Sequence, residues 1–386
     1  MRKSSILILA VTMSMAMIGI GSCNNAAENT EAQVIEISAY GAKSDTVTNN
    51  AEAINKAIAE APDGAVVKIP AGRYMTGTIH LKSNVTLMLD EGAELIGSNN
   101  LDDYDNYQPT RDMSRYDTGE GTRNANLASD ERWTKALILG VGVENAVVCG
   151  KGTINGRHVV DSLGEESMRG PHTIIIAESK NVKLEGLHIK CSANYAVLGY
   201  ELVDSEISGL SIEEGWDGVH IRGCENVVIK DCDIRTGDDA IAGGYWKGMK
   251  IDNCRLNSSC NGIRMIEPSE NLEIGNCHIY GPGVYPHRTS GAEKRTGTIY
   301  GIVLEPGAWG DAPGHTENVY IHDVTIDNLL SPVVYSIGEN NTCSGLTIEN
   351  LVATHISYNT TPLNRQDCVR MWDNITIKNM RISQGE

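Results

Sequence analysis

The chain has 386 residues, with 32 Lys+Arg against 50 Asp+Glu and a net charge of −18 at neutral pH. Nothing in that balance offsets phosphate repulsion, which excludes a nucleic-acid binder or a protein held on anionic lipid by charge. With 41% hydrophobic residues, 40 glycines and no phenylalanine, the composition can fill a core but reads as turn-rich β and not as a helical bundle.

Arg2 and Lys3 precede an apolar run over residues 6–20, which ends in Ile20-Gly21-Ser22-Cys23. A basic start, an apolar stretch of this length and small residues before a cysteine make an export signal. The run is short for a spanning helix. It resembles the lipobox of bacterial lipoproteins, which implies removal of residues 1–22 and acylation of Cys23. Residues 23–32 are polar and read as a tether. The expectation is an exported, membrane-anchored monomer held by its lipid alone, with a folded domain over 33–386.

Asn49-Asn50 is followed at 51–61 by an amphipathic helix pattern with an N-cap. Further on a short motif recurs, Asn or a stand-in and then two apolar residues two apart. Its copies start at 181, 204, 226, 248 and 271, in steps of 23, 22, 22 and 23. Others start at Asn84, Asn145, Asn318, Gly345 and Asn374. A period in the low twenties with short alternating strands and Gly/Asn corners means a solenoid, and the regular leucines of a leucine-rich repeat are missing. The prediction is all-β, a single-stranded right-handed parallel β-helix with about three strands per coil. Coils stack ~4.8 Å apart, and the N-terminal helix plugs the first one. The same count aligns Leu187, Leu210, Cys232, Cys254, Cys277, Val324, Leu351 and Met380, so those cysteines are core residues and not ligands or disulfides. Segments 98–132 and 281–296 break the period and are expected to project as loops beside a cleft.

Most acidic residues are scattered, but one set is not. Asp217 and Asp239 are 22 residues apart and should stack, and Asp238 neighbours Asp239. Ideal alternation would send Asp238 and Asp239 to opposite faces, so a bend must bring both to the cleft. Three adjacent carboxylates repel and raise one another's pKa. That suits glycoside hydrolysis, in which one carboxyl protonates the leaving oxygen and the ionised others activate water. Turn-forming aspartates or a calcium site are the plainer alternatives.

These residues carry a resemblance to glycoside hydrolase family 28, the polygalacturonase-like pectin hydrolases, from about residue 37 to the end. Tyr40-Gly41-Ala42-Lys43-Ser44-Asp45, Val67-Lys68-Ile69-Pro70-Ala71-Gly72-Arg73-Tyr74 and Gly150-Lys151-Gly152-Thr153-Ile154-Asn155-Gly156 fit the family's fold. Its Asn-Thr-Asp-Gly becomes Gly215-Trp216-Asp217-Gly218, and its Gly-Asp-Asp is Gly237-Asp238-Asp239. The resemblance implies Asp238 as general acid, with Asp217 and Asp239 holding and deprotonating water, and no cofactor or metal. Two elements depart. The family's Gly-His-Gly falls on Cys260-Asn261-Gly262, and its Arg-Ile-Lys on Val303-Leu304-Glu305, with a carboxylate where the lysine grips a uronate. An alternative alignment, with one coil lost, keeps Arg264 as the arginine.

Candidate substrate contacts are therefore Trp216 as a stacking platform, His220, Asn261, Arg264, Tyr300 and Glu305. Trp216 is equally readable as structural, and Arg264 as a partner of Glu267 or Glu305. The expected activity is inverting hydrolysis of a pectic or related plant polysaccharide, of rhamnogalacturonan type or lacking uronate. Its rivals are a calcium-assisted lyase or epimerase and a non-catalytic glycan-binding β-helix.

Overall fold

The protein is described here by a computed structural model, covering residues 32–117, 126–289, 292–307, 312–338, 340–357 and 372–385. The expected signal peptide, Cys23 and all of the tether except Ala32 lie outside the described residues.

The repeat motif explains itself in the backbone. Asn84, Asn145, Asn181, Asp204, Asn226, Asn271, Asn318 and Asn374 are all left-handed, with φ between 48° and 60°. Gly248 and Gly345, which replace Asn in the motif, have φ of 70° and 71°. Glycine takes that conformation freely and Asn more readily than other side chains. The Asn amides then tie coil to coil: Asn145 Nδ2 donates to Asn84 Oδ1 at 2.8 Å, and Asn181 Nδ2 to Asn145 Oδ1 at 2.7 Å. Each motif is a corner that turns the chain and fastens it to its neighbour.

Between corners the strands pair in parallel, in one ladder of 21 strands and another of 11 among the described residues. The result is a right-handed parallel β-helix. Its interior is built of columns in strict register. Ile154, Ile189, Ile212, Ile234, Leu256, Ile279, Ile326 and Ala353 stack one per coil, none more than 1% exposed. Cys232, Cys254 and Cys277 are buried free thiols in the core. Each Sγ donates to the carbonyl two residues before it, at 3.1–3.3 Å. Helix α1 (Ala51–Glu60) turns Ile54, Ala57 and Ile58 onto the first coil. Asn49 Oδ1 accepts from the Ala51 N–H, and Lys82 Nζ donates to the carbonyls of Ala59 and Ala61 at the other end.

Segment 98–132 departs from the expectation of a projecting loop. Its described part lies down on the outside of the sheet and forms a second apolar cluster. Tyr107, Met113, Tyr116, Ala128 and the neighbouring Trp133 pack on Leu139, Ile175, Leu198, Tyr200 and Trp216. Parallel sheets need cover on both faces. The covering aromatics are too widely spaced in sequence to show a period.

Candidate active site

Five paired strands carry the site: Val197–Val203, Val219–Glu225, Ile241–Lys247, Asn261–Met265 and Tyr300–Leu304. Asp217, Asp239 and Asn261 fall at the same place in successive coils, at the entrance to these strands. The Asp239 N–H donates to Asp217 Oδ1 at 3.1 Å, and the Asn261 N–H to Asp239 Oδ1 at 3.2 Å. Each carboxylate thus accepts from the backbone of the coil above it. The bend Gly237-Asp238-Asp239-Ala240 separates strand Asp233–Thr236 from strand Ile241–Lys247. It brings Asp238 and Asp239 to the wall of one cavity of about 400 Å³. Asp217 is not on that wall; it stands behind Asp239, 1% exposed.

Charge is managed by close pairing. Asn261 Nδ2 donates to Asp239 Oδ1 at 2.7 Å, and Arg264 Nε donates to Asp239 Oδ2. Arg264 reaches the cavity, as expected, with its guanidinium joined to Asp239. Burial and the Asp239 charge push the Asp217 carboxyl up to about 7, against the pull of Arg264 and Arg169.

His220 is nearly buried and serves Asp217. Arg222 Nε donates to His220 Nε2 at 3.3 Å, so the ring's proton sits on Nδ1, which donates to Asp217 Oδ2 at 2.7 Å. Burial and then Arg222 hold this imidazole well below its usual pKa, hence neutral. It lies flat on Tyr195, with ring centroids 4.8 Å apart.

Trp216 corrects the idea of a sugar platform. Its indole is wholly buried, and the Arg169 guanidinium lies 3.8 Å over the ring. Asn261, Tyr300 and Glu305 all reach the cavity. Tyr300 pairs with Asn261 across the ladder, and Glu305 accepts from Ser336 Oγ at 3.1 Å.

Several residues of the site carried no repeat signal. Arg169 sits between Glu165 (3.4 Å), Glu166 (3.3 Å) and Asp238 Oδ2 (3.4 Å). His287 comes from the long segment after strand His278–Tyr280 and stands 3.8 Å from Asp238 Oδ1. It supplies the imidazole that the coil register lacks at Asn261. Arg222 donates to the carbonyls of Tyr116 and Asn126, fixing the outer segment against the site. Of these only Arg222 was findable, two residues from His220 on the same strand face.

Asp238, Asp239 and Cys260 bring donor atoms within 4.8 Å of one another. Calcium asks for six or more hard oxygens. Here only two carboxylates converge and the third donor is sulfur. The donor set does not fit that ion.

The family model for glycosyl hydrolases family 28 matches residues 66–258, half of the chain. An exo-poly-α-D-galacturonosidase of Dickeya chrysanthemi is 28% identical over 285 residues, covering 63% of this chain and 45% of that protein. A probable polygalacturonase of Vitis vinifera is 27% identical over 221 residues, 53% of this chain and 42% of the relative. The chain therefore spans less than half the length of these two relatives. The family 28 exopolygalacturonase of Yersinia enterocolitica shares the fold, with a TM-score of 0.70 at 18% identity, over 92% of this chain and 72% of that one.

Proposed function

We propose that this chain, which belongs to glycosyl hydrolases family 28, hydrolyses O-glycosidic bonds in a pectic or related plant polysaccharide with inversion at the anomeric carbon. The observation that carries the reading is the pairing of Asp238 and Asp239 on one cavity wall, with Asp217 hydrogen-bonded behind them. Asp238 gives its proton to the glycosidic oxygen as the C1–O bond breaks. Asp239, backed by Asp217, orients a water on the opposite face of the ring and takes its proton as the new C–O bond forms. Asp238 then regains a proton from solvent.

Val303 and Glu305 stand where the family's arginine and lysine grip a uronate, and Glu305 lies on the cavity wall. This supports a substrate with a neutral or substituted sugar beside the cleaved bond, rhamnogalacturonan-type chains among them, in preference to plain polygalacturonate. Residues 6–23 support export with a lipid on Cys23; metabolic labelling with a radioactive fatty acid, lost in Cys23→Ala, tests that separately.

The test of the reaction is mass spectrometry of products from polygalacturonate and rhamnogalacturonan oligosaccharides, with and without EDTA. Products carrying one added water, unaffected by EDTA and absent with Asp238→Asn, are expected, and proton NMR of the first product should show the inverted anomer. Unsaturated products lost with EDTA would sink the hydrolase reading.

A further inference from the structure

Outside the acidic cavity, one corner of the solenoid gathers side chains of a different kind. His158, Cys191 and Glu214 all have left-handed backbone, with φ of 51°, 54° and 65°. They follow strands Thr153–Asn155, His188–Lys190 and Ser211–Glu213, which pair in register. The N–H of His158 donates to the Cys191 carbonyl at 2.8 Å, and that of Cys191 to the Glu213 carbonyl at 3.2 Å. The stack delivers an imidazole, a thiol and a carboxylate to one point. Glu214 Oε2 accepts from His158 Nε2 at 2.8 Å and from Cys191 Sγ at 3.1 Å. All three donor atoms lie within 4.8 Å of one another. The His158 and Glu214 side chains are 30% and 36% exposed, so an ion reaches them without unfolding.

We propose that this corner binds one divalent cation of the zinc class through His158 Nε2, Cys191 Sγ and a Glu214 oxygen, leaving a fourth position to water. Imidazole and thiolate are borderline-soft donors, which selects against calcium and magnesium. Ligand atoms about 2.0–2.3 Å from a tetrahedral zinc stand about 3.3–3.7 Å apart. The present trio needs only to spread slightly.

A gate is built in. Arg288 Nη1 donates to His158 Nδ1 at 3.0 Å. A guanidinium has no acceptor, so the ring proton sits on Nε2 and points at Glu214. When a cation takes the Nε2 lone pair, that proton passes to Nδ1 and the thiol proton leaves to solvent. Nδ1–H then faces another donor, and Arg288 must withdraw. Cation and Arg288 contact exclude each other. Arg288 directly follows His287, so the exchange occurs beside the segment that faces Asp238.

The experiment titrates the full chain with cobalt(II) alone and follows thiolate-to-cobalt charge transfer and the ligand-field bands. One equivalent with a charge-transfer band is expected, retained in Cys260→Ser and lost in Cys191→Ser. His158→Gln should weaken binding by about tenfold or more, while Arg288→Ala should tighten it several-fold, a gain that misfolding cannot produce. A band that survives Cys191→Ser, or none from a natively folded wild type, overturns the site. Unchanged affinity in Arg288→Ala overturns the gate.

Discussion

The two faces of the strands that carry the site bury comparable amounts of side chain by opposite rules. In strand Val219–Glu225, Val219 and Ile221 point into the coil and are wholly buried among other apolar groups. His220 and Arg222 point outward, and each is also only 2% exposed. The inward face tolerates Leu, Val, Met or Cys at one column position, because apolar burial has no direction. Outside, the polar groups on these strands are held by specific partners: His220 has Asp217 and Arg222, Arg222 has Tyr116 and Asn126, and Arg264 has Asp239. Removing one member of such a set strands a buried charge. The interior is redundant, whereas the exterior is specific.

The largest effect expected from this contrast is catalytic. Asp238→Asn should lower kcat on any cleaved oligosaccharide about 1000-fold, ~4 kcal/mol of barrier, with the melting temperature nearly unmoved. A residual rate within tenfold of wild type would remove Asp238 from the reaction. On the inward face, Leu256→Ala should cost about 3 kcal/mol in urea denaturation and leave the shape of the pH–rate profile alone. A change in that profile would mean the two faces are not separable.

Asp217→Asn turns the contrast around. The folded-state pKa of Asp217 is raised to about 7 from an ordinary 3.8. The native state therefore holds this proton more tightly than the unfolded chain. Stability contributed by that proton is full below about pH 4 and is lost as pH rises through about 7. Asparagine carries no charge to bury but sets an amide N–H₂ or a lone oxygen against His220. The net gain above pH 7 should be ~2 kcal/mol and should vanish near pH 4, read as melting temperature against pH. Lower stability than wild type at pH 8 would show that the carboxylate is wanted there in its charged form. The smallest shift concerns Arg264, which lowers the Asp217 pKa. Arg264→Gln should move the acid limb of kcat/KM upward by about one pH unit, and an unmoved limb would detach Arg264 from that titration.

Sequence reasoning reached the parts that repeat. The core column of Leu187, Leu210, Cys232, Cys254 and Cys277 and the left-handed asparagines each recur once per coil, so each copy checks the others. Asp217 and Asp239 were legible for the same reason, being one coil apart. Trp216 was misjudged because alternation gives the face of a strand but not what covers it, whereas His220 does face outward onto the cavity wall. The cover comes from Tyr195, Arg169 and the aromatic outer segment, contacts made once and at long range. Arg169 and His287 lie on stretches with no period at all, and only folding brings them to Asp238.

Tyr280 pairs with Asp327 in the same ladder whose preceding rungs, from His188 onward, join residues 22 or 23 apart. Of the 46 residues between them, Tyr300–Leu304 and Gly314–His322 are themselves rungs of the solenoid, so most of the extra length enters between Tyr280 and Tyr300 and leaves the pairing on either side in register. Length is thus absorbed at corners, while one extra residue inside a strand would turn its apolar set outward. The stack behaves like a rack with interchangeable modules. A segment such as 281–299, carrying His287, Arg288 and Arg295 together, can be exchanged as one cassette, and the chemistry offered to a polysaccharide can change while the frame that holds it stays the same.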